Sequence, residues 1–298
     1  MTLVDVVNLF DTDERCRELL VRLRWPNGVE CPRCKMPAVD LATAKQLFYC
    51  KGCDYQFSVT SGTVFNDSHL ALQKWFLATL LLCEAKKGMS ANQIKRTLGV
   101  SYKTAWYLCH RIRFAMTEVH KMLDGTVEID EMYIGGKQTG KGVGYGKRQK
   151  EPVIGIVQRS GDLKFIHVKN ADSKAIREVL EEHVSEDVDV IVTDESILYA
   201  SGLPKSQVSK RKAVNHTADE YVRYENGFMV TTNTIESAFS LFKRGIVGSW
   251  HRVSPKHLAA YLNEMTFRFN RRKSHTLFLD TLRHMITAPV LTFERLTA

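Results

Sequence analysis

The alternation of apolar and polar positions changes character three times along the chain. Over residues 1–28, Val6, Leu9, Phe10, Leu19, Leu20 and Leu23 recur at roughly helical spacing, and Trp25-Pro26-Asn27-Gly28 closes the segment with a turn signal. Residues 29–66 break into short strand-like pieces. Residues 67–120 return to a helical period, with an apolar run over 70–83, then Gly88, then two shorter helices over 91–98 and 102–116. From residue 125 onward the pattern predicts strands at 127–134, 153–158, 163–168 and 188–193, and helices at 173–183 and 232–243. Three neighbouring strands, a crossover helix and a fourth strand imply a mixed α/β sheet. The segment GGKQTGKGVGYGKRQK at 135–150 predicts a flexible basic loop between two strands.

The chain thus reads as multidomain α+β. It divides into an N-terminal helical segment (1–28), a cysteine-bearing ribbon (29–66), a helical region (67–120), an α/β domain (124–273) and a C-terminal tail (274–298). Of its 298 residues, 44% are hydrophobic and 25% charged, which excludes disordered and fibrous classes. The longest strongly apolar stretch, 75–83, is far short of the ~20 residues of a membrane span. The opening MTLVDVVNLFDTDERC has no basic region leading into an apolar run, so no signal peptide is expected and a cytoplasmic protein is. Lys+Arg 42 against Asp+Glu 33 gives a net charge of +9 and points to a polyanionic partner.

Seven cysteines, an odd number without a signal peptide, fit a reducing compartment rather than a disulfide framework. Cys16, Cys83 and Cys109 stand apart. Cys31-Pro32-Arg33-Cys34 and Cys50-Lys51-Gly52-Cys53 form two C-x-x-C knuckles separated by a spacer long enough for a hairpin. Together they offer four thiolates to one tetrahedral Zn²⁺. Four sulfurs leave no open position, so the ion is expected to be structural. Arg33, Lys45 and Lys51 would lie on the ribbon surface.

In the helical region, Ser90-Ala91-Asn92-Gln93 has the form of a capping box, Gly99-Val100 breaks the helix, and Ser101 can cap the next one. This is a helix-turn-helix layout, whose second helix would enter a DNA major groove. Ala105, Leu108, Cys109, Ile112 and Ala115 form its inward stripe, so Lys103, Tyr107, His110 and Arg111 are expected to point outward. From Glu84 to Arg113 there are seven basic residues and one acid. Lys95, Lys103, Arg111 and Arg113 are therefore candidate phosphate contacts, as are Lys147, Arg148, Arg244 and Arg252 in later basic clusters. Trp106 and Tyr107 are expected to pack rather than stack on bases.

Three acids stand out in the α/β domain. Asp130 lies inside the strand Val127-Glu128-Ile129-Asp130-Glu131-Met132-Tyr133, where an unpaired carboxylate is costly unless it binds something. Asp194 follows the apolar run Val190-Ile191-Val192-Thr193, at a strand end of the kind that carries sites in α/β sheets. Glu236 sits in the helix, with Asn233 one turn earlier and Lys243 two turns later on one face. Two strand aspartates and a helix glutamate fit a two-metal phosphoryl-transfer site, with Mg²⁺ ions roughly 3.5–4 Å apart.

The order of a zinc ribbon (RWPNGVECPRCK, YCKGCDYQFSVTSGTVF), a basic helical region, and then VEIDEMYIGGK, IVTDES and NTIESAFSLFKRGIVGSWHRVS resembles the zinc-ribbon DDE transposases of bacterial insertion sequences. The resemblance spans residues 25–272. It implies a ribonuclease-H-like catalytic core, with Asp130 and Asp194 as the first two ligands of Mg²⁺ or Mn²⁺, two ions per site. The third ligand is Glu236 or Asn233, with Lys243 favouring Glu236, and His216 matches a recurrent family position. It also implies binding of transposon ends and target DNA, cleavage and strand transfer, a homo-oligomer in the DNA complex, and association with the nucleoid. Two alternatives are a structure-specific nuclease with the same core and a non-catalytic DNA-binding regulator.

Overall fold

The computed structural model describes residues 1–40, 46–117, 121–135, 150–215 and 220–298. They form two compact units, one of residues 1–117 with 271–298, the other of 118–270.

The first unit begins with α1 (Leu3–Leu9) and α2 (Asp13–Arg24), each capped by a threonine, Thr2 and Thr12, whose hydroxyl accepts a first-turn N–H. An antiparallel three-stranded ribbon follows, β1 (Val39–Asp40), β2 (Phe48–Cys50) and β3 (Tyr55–Phe57). Its small core is aromatic, with Trp25 edge-on to Phe48 and Phe57. Next comes α3 (Leu72–Glu84), apolar nearly all round and correspondingly buried. Helices α4 (Ala91–Leu98) and α5 (Tyr102–Ala115) are joined by a left-handed Gly99, φ 61°, a conformation a β-carbon disfavours. Ser90 and Ser101 cap them, as their positions predict.

The stripe Ala105, Leu108, Cys109, Ile112 and Ala115 is buried as expected, and Lys103 is exposed. His110, Arg111 and Arg113 are not on the surface; they are 1%, 3% and 1% exposed. The Arg111 guanidinium donates to the Asn66 carbonyl and lies over the rings of Trp75 and Tyr107, while Arg113 donates to Met89 O. Burial lowers the pKa of Arg111 from the ordinary guanidinium value. Both guanidinium groups are thus buried against backbone carbonyls rather than displayed on the outside of α5, because residues distant in sequence cover them. Residues 274–298, expected as a tail, contain α10 (Leu277–Thr287) and α11 (Phe293–Thr297). Phe278 of α10 meets Phe76 of α3 at 6.0 Å, and Thr79 donates to Met285 Sδ. Phe293 meets Tyr107 and Trp106, and the Tyr107 hydroxyl donates to Leu291 O.

The second unit holds a five-stranded sheet built from β4 (Thr126–Ile134), β5 (Glu151–Gln158), β6 (Leu163–His167), β7 (Val190–Asp194) and β8 (Arg211–Val214). The spatial order is β6-β5-β4-β7-β8. The first three strands are antiparallel neighbours; β7 and β8 run parallel to β4. Helix α6 (Ser173–His183) and α7 (Ile197–Gly202) cover one face through Val127, Ile129, Ile154, Ile156 and Ile191. A hairpin, β9 (Arg223–Glu225) and β10 (Phe228–Val230), leads into α8 (Asn233–Gly245). With α9 (Pro255–Asn270), α8 covers the other face through Met132, Ile134, Val153, Val157, Leu163 and Phe165. Among the described residues no helix is long and apolar enough to cross a membrane.

Candidate active site

Side chains alternate across a strand, so Val127 and Ile129 on the α6 face place Glu128, Asp130 and Met132 on the α8 face. The parallel register Thr126↔Val190, Val127↔Ile191, Glu128↔Val192 carries forward to level Asp130 with Asp194, each two residues beyond the last pair. Equivalent residues of neighbouring strands point to the same side, so both aspartates face α8. On the other flank Asp130 pairs with Gly155 of β5. A β-carbon on Gly155 would lie 2.5–2.7 Å from Phe239 and Ile235 of α8. Glycine there lets α8 settle on the sheet beside the aspartates and brings Glu236, in its first turn, toward them.

The carboxylates feel one another. Burial pushes the Asp130 carboxyl up and a hydrogen bond from the Glu131 N–H lowers it. The negative charges of Glu131, Asp194 and Glu236 add to the rise, giving about 7. The trio is more open than the cysteine cluster and does not gather all its ligand atoms within 4.8 Å. Glu131 is turned to the opposite face, where Tyr199 donates to it. Asp194 accepts from the Ser196 N–H at 2.9 Å. Arg211 donates to the Asp194 carbonyl and to Thr193 Oγ1, fixing the end of β7. Arg211 belongs to a basic run at 205–212, of which Lys210 and Lys212 are also engaged, with Glu186 O and the Glu225 carboxylate.

Asn233 opens α8 and is exposed; Glu236 is half-buried and accepts from Thr232 Oγ1 at 2.9 Å. Lys243, Arg244 and Arg252 are exposed, as is Lys95 of α4. His216, Lys147 and Arg148 lie outside the described residues.

Two contributors were missed by sequence reasoning. Glu128, wholly buried, and Arg159 form an ion pair at 2.9 Å beneath the start of α8. The signal was present in Glu128-x-Asp130, two acids on one face of a central strand, but only the second was read as chemistry.

In the first unit the four cysteines gather with all Sγ atoms within 4.8 Å of one another, Cys31 to Cys53 at 3.6 Å and Cys34 to Cys50 at 3.3 Å. A tetrahedral ion with ~2.3 Å bonds needs sulfurs about 3.8 Å apart, so the donor set fits zinc. Lys35 and Asp54, each just after its knuckle, adopt φ 64° and 51°, in the left-handed region. Burial raises the Cys31 thiol, but hydrogen bonds from the Cys34 and Arg33 N–H groups and the nearby sulfurs outweigh it and bring it to about 6.

Comparisons with known proteins agree with this arrangement. Residues 122–270 match the ISXO2-like transposase domain, and residues 11–56 match the transposase zinc-ribbon domain. The ribbon match thus begins well before residue 29 and ends before residue 66. The chain is also 32% identical over 281 residues to an uncharacterized protein in transposable element ISH50 of Halobacterium salinarum, covering 88% of this chain and 92% of that relative. With an acid-bearing mixed sheet under the first match and a Cys₄ cluster within the second, the chain belongs to the zinc-ribbon-bearing DDE transposases, in the ISXO2-like family.

Proposed function

We propose that this transposase binds the ends of its element, cleaves there in a divalent-metal-dependent reaction, and joins the freed 3′-OH to target DNA. The observation that carries the reading is the level placement of Asp130 and Asp194 on adjacent parallel strands, with Glu236 in electrostatic reach from α8. The strand order, with three antiparallel strands followed by two parallel to the first, supports a ribonuclease-H-like core.

Asp130, Asp194 and Glu236 would hold two Mg²⁺ or Mn²⁺ ions. The donors suit hard cations, being carboxylate oxygens. Burial first, and then the negative charges of Glu131, Asp194 and Glu236, raise the Asp130 pKa, and a cation beside it would favour the ionised form. When bound, the metals supply Lewis-acid activation of the attacking oxygen and neutralise charge on the leaving one. Glu236 is favoured over Asn233 because its charge acts on Asp130, whereas the exposed amide brings none. Lys243, two turns along α8, would hold a phosphate next to the reacting bond. Hydrolysis breaks the P–O bond at the element end and leaves a 3′-OH; that hydroxyl then attacks a target phosphate and displaces a second 3′-oxygen.

Zinc on Cys31, Cys34, Cys50 and Cys53 would shape the ribbon without touching substrate. Helices α4 and α5 would act as a helix-turn-helix, with Lys95 and Lys103 supplying phosphate contacts. Arg244, Arg252 and the basic 135–150 segment, Lys147 and Arg148 included, would hold transposon and target backbones in a homo-oligomer on double-stranded DNA.

The test is strand transfer of a pre-cleaved end into supercoiled plasmid, with Mg²⁺, with Mn²⁺ and with chelator. Joined product that needs both metal and an intact Asp130 is expected. Cleavage without any joined species would favour a structure-specific nuclease; binding with no reaction in either metal would favour a regulator.

A further inference from the structure

An α-helix leaves its first N–H groups without partners, and a side chain at the position before the helix normally accepts from them. In α8 that position is Thr232, which makes no such bond. The acceptor comes instead from the sheet. Glu128 of β4 takes the Thr234 N–H at 2.9 Å, the Ile235 N–H at 3.1 Å and the Thr234 hydroxyl at 2.9 Å. Its charge is balanced by Arg159, whose remaining nitrogens donate to the carbonyls of Met229 and Thr231 at 2.6 and 2.9 Å, so the strand leading into α8 is tied down too. A buried carboxylate with these four donors is fully used and has nothing left for a metal or DNA.

Its place in sequence is what gives this clamp a consequence. Glu128 stands two residues before Asp130 on the same face of the same strand, and Ile235 is immediately followed by Glu236. We propose that Glu128 is a positioning residue for the catalytic cluster: by capping α8 from β4, it fixes the spacing between Glu236 and Asp130. Arg159 completes the clamp, and Gly155 provides the room in which it closes. The inference rests on the trio being the metal site, and its test separates the two.

Three readouts on the full-length protein decide it: Mn²⁺ binding by calorimetry, hydrogen exchange at Thr234 and Ile235 without metal, and pre-cleaved-end strand transfer against Mn²⁺ and DNA concentration. Glu128→Asp keeps the charge but falls one methylene short, so it guards against simple misfolding; Glu128→Gln keeps the length and loses the charge. Both are expected to raise exchange at the two amides at least tenfold and to weaken Mn²⁺ binding about tenfold. The rate should fall about tenfold with KM for the DNA end within twofold. Faster exchange with parental Mn²⁺ affinity and rate would make Glu128 a purely structural cap and overturn the proposal, as would unchanged exchange. Asp130→Asn is the control. If it retains parental Mn²⁺ binding, the metal-site reading fails and the proposal falls with it; if it loses Mn²⁺ while both Glu128 variants keep it, the proposal alone fails.

Discussion

The cysteine site and the carboxylate site solve opposite problems. Each gathers groups that repel one another when ionised. In the ribbon the four donors come from two tight turns on strands of three residues or fewer, over a core of a few aromatic rings. An ion bound to all four sulfurs would be the largest single interaction in so small a core. In the second unit the carboxylates are carried by a central strand pair and a helix anchored in a large apolar core. That scaffold fixes the acids through apolar packing, and burial, with the nearby negative charges adding to it, raises the Asp130 carboxyl. The difference is one of support: the ribbon has little packing behind its donors, whereas the sheet and α8 hold theirs on a large apolar core.

The largest expected effect tests the first half of that contrast. Cys50→Ser should cost most of the zinc binding free energy, of order 10 kcal/mol in small ribbons. Metal analysis should fall from about one zinc per chain toward none, with fast hydrogen exchange over the ribbon and protected β4, β5 and α8. Protection of the ribbon without zinc would erase the distinction.

Next in size, Asp130→Asn and Asp194→Asn should each reduce cleavage and strand transfer at least about a thousandfold, near 4 kcal/mol at ~1.4 kcal/mol per decade. Thermal unfolding and end binding should stay close to parental, because the scaffold does not depend on these charges. A collapse of the second unit in either variant would contradict a preformed carboxylate face. A finer cut comes from the helix. Glu236→Gln should be as inactive as the aspartate variants, and Asn233→Ala impaired but measurable in the same assay. The reverse order would make the trio Asp130, Asp194 and Asn233.

The smallest effects separate buried from exposed basic residues in the first unit. Arg111→Ala removes the partner of Asn66 O and the cation between two aromatic rings. It should destabilise that unit by about 2–3 kcal/mol in denaturant unfolding. Lys103→Ala should leave stability within ~0.5 kcal/mol and reduce the salt slope of end binding by about 1. Equal stability of the two variants would return Arg111 to the surface.

Local chemistry was legible wherever neighbours in sequence carry it. The C-x-x-C pairs, the Ser90 and Ser101 caps and the alternation of β4 needed only short-range geometry, so the ribbon ligands and most strand bounds could be read directly. Asp130 was legible for the same reason, as a charge where a strand interior should be apolar. Glu128, two residues earlier on the same strand, was equally visible but without meaning, since the helix it caps begins 105 residues later.

What the sequence alone determined about this protein is therefore its donor chemistry: four thiols in two knuckles, acids on a strand, at a strand end and on a helix, and an excess of positive charge. Tertiary structure alone decided which of those groups are free to act. It buried Arg111 and Arg113 of α5 against distant carbonyls, turned Glu131 away from the site toward Tyr199, and committed Glu128 to α8. The reason is that a charged group's role depends on which polar partners and how much water surround it, and long-range packing sets both.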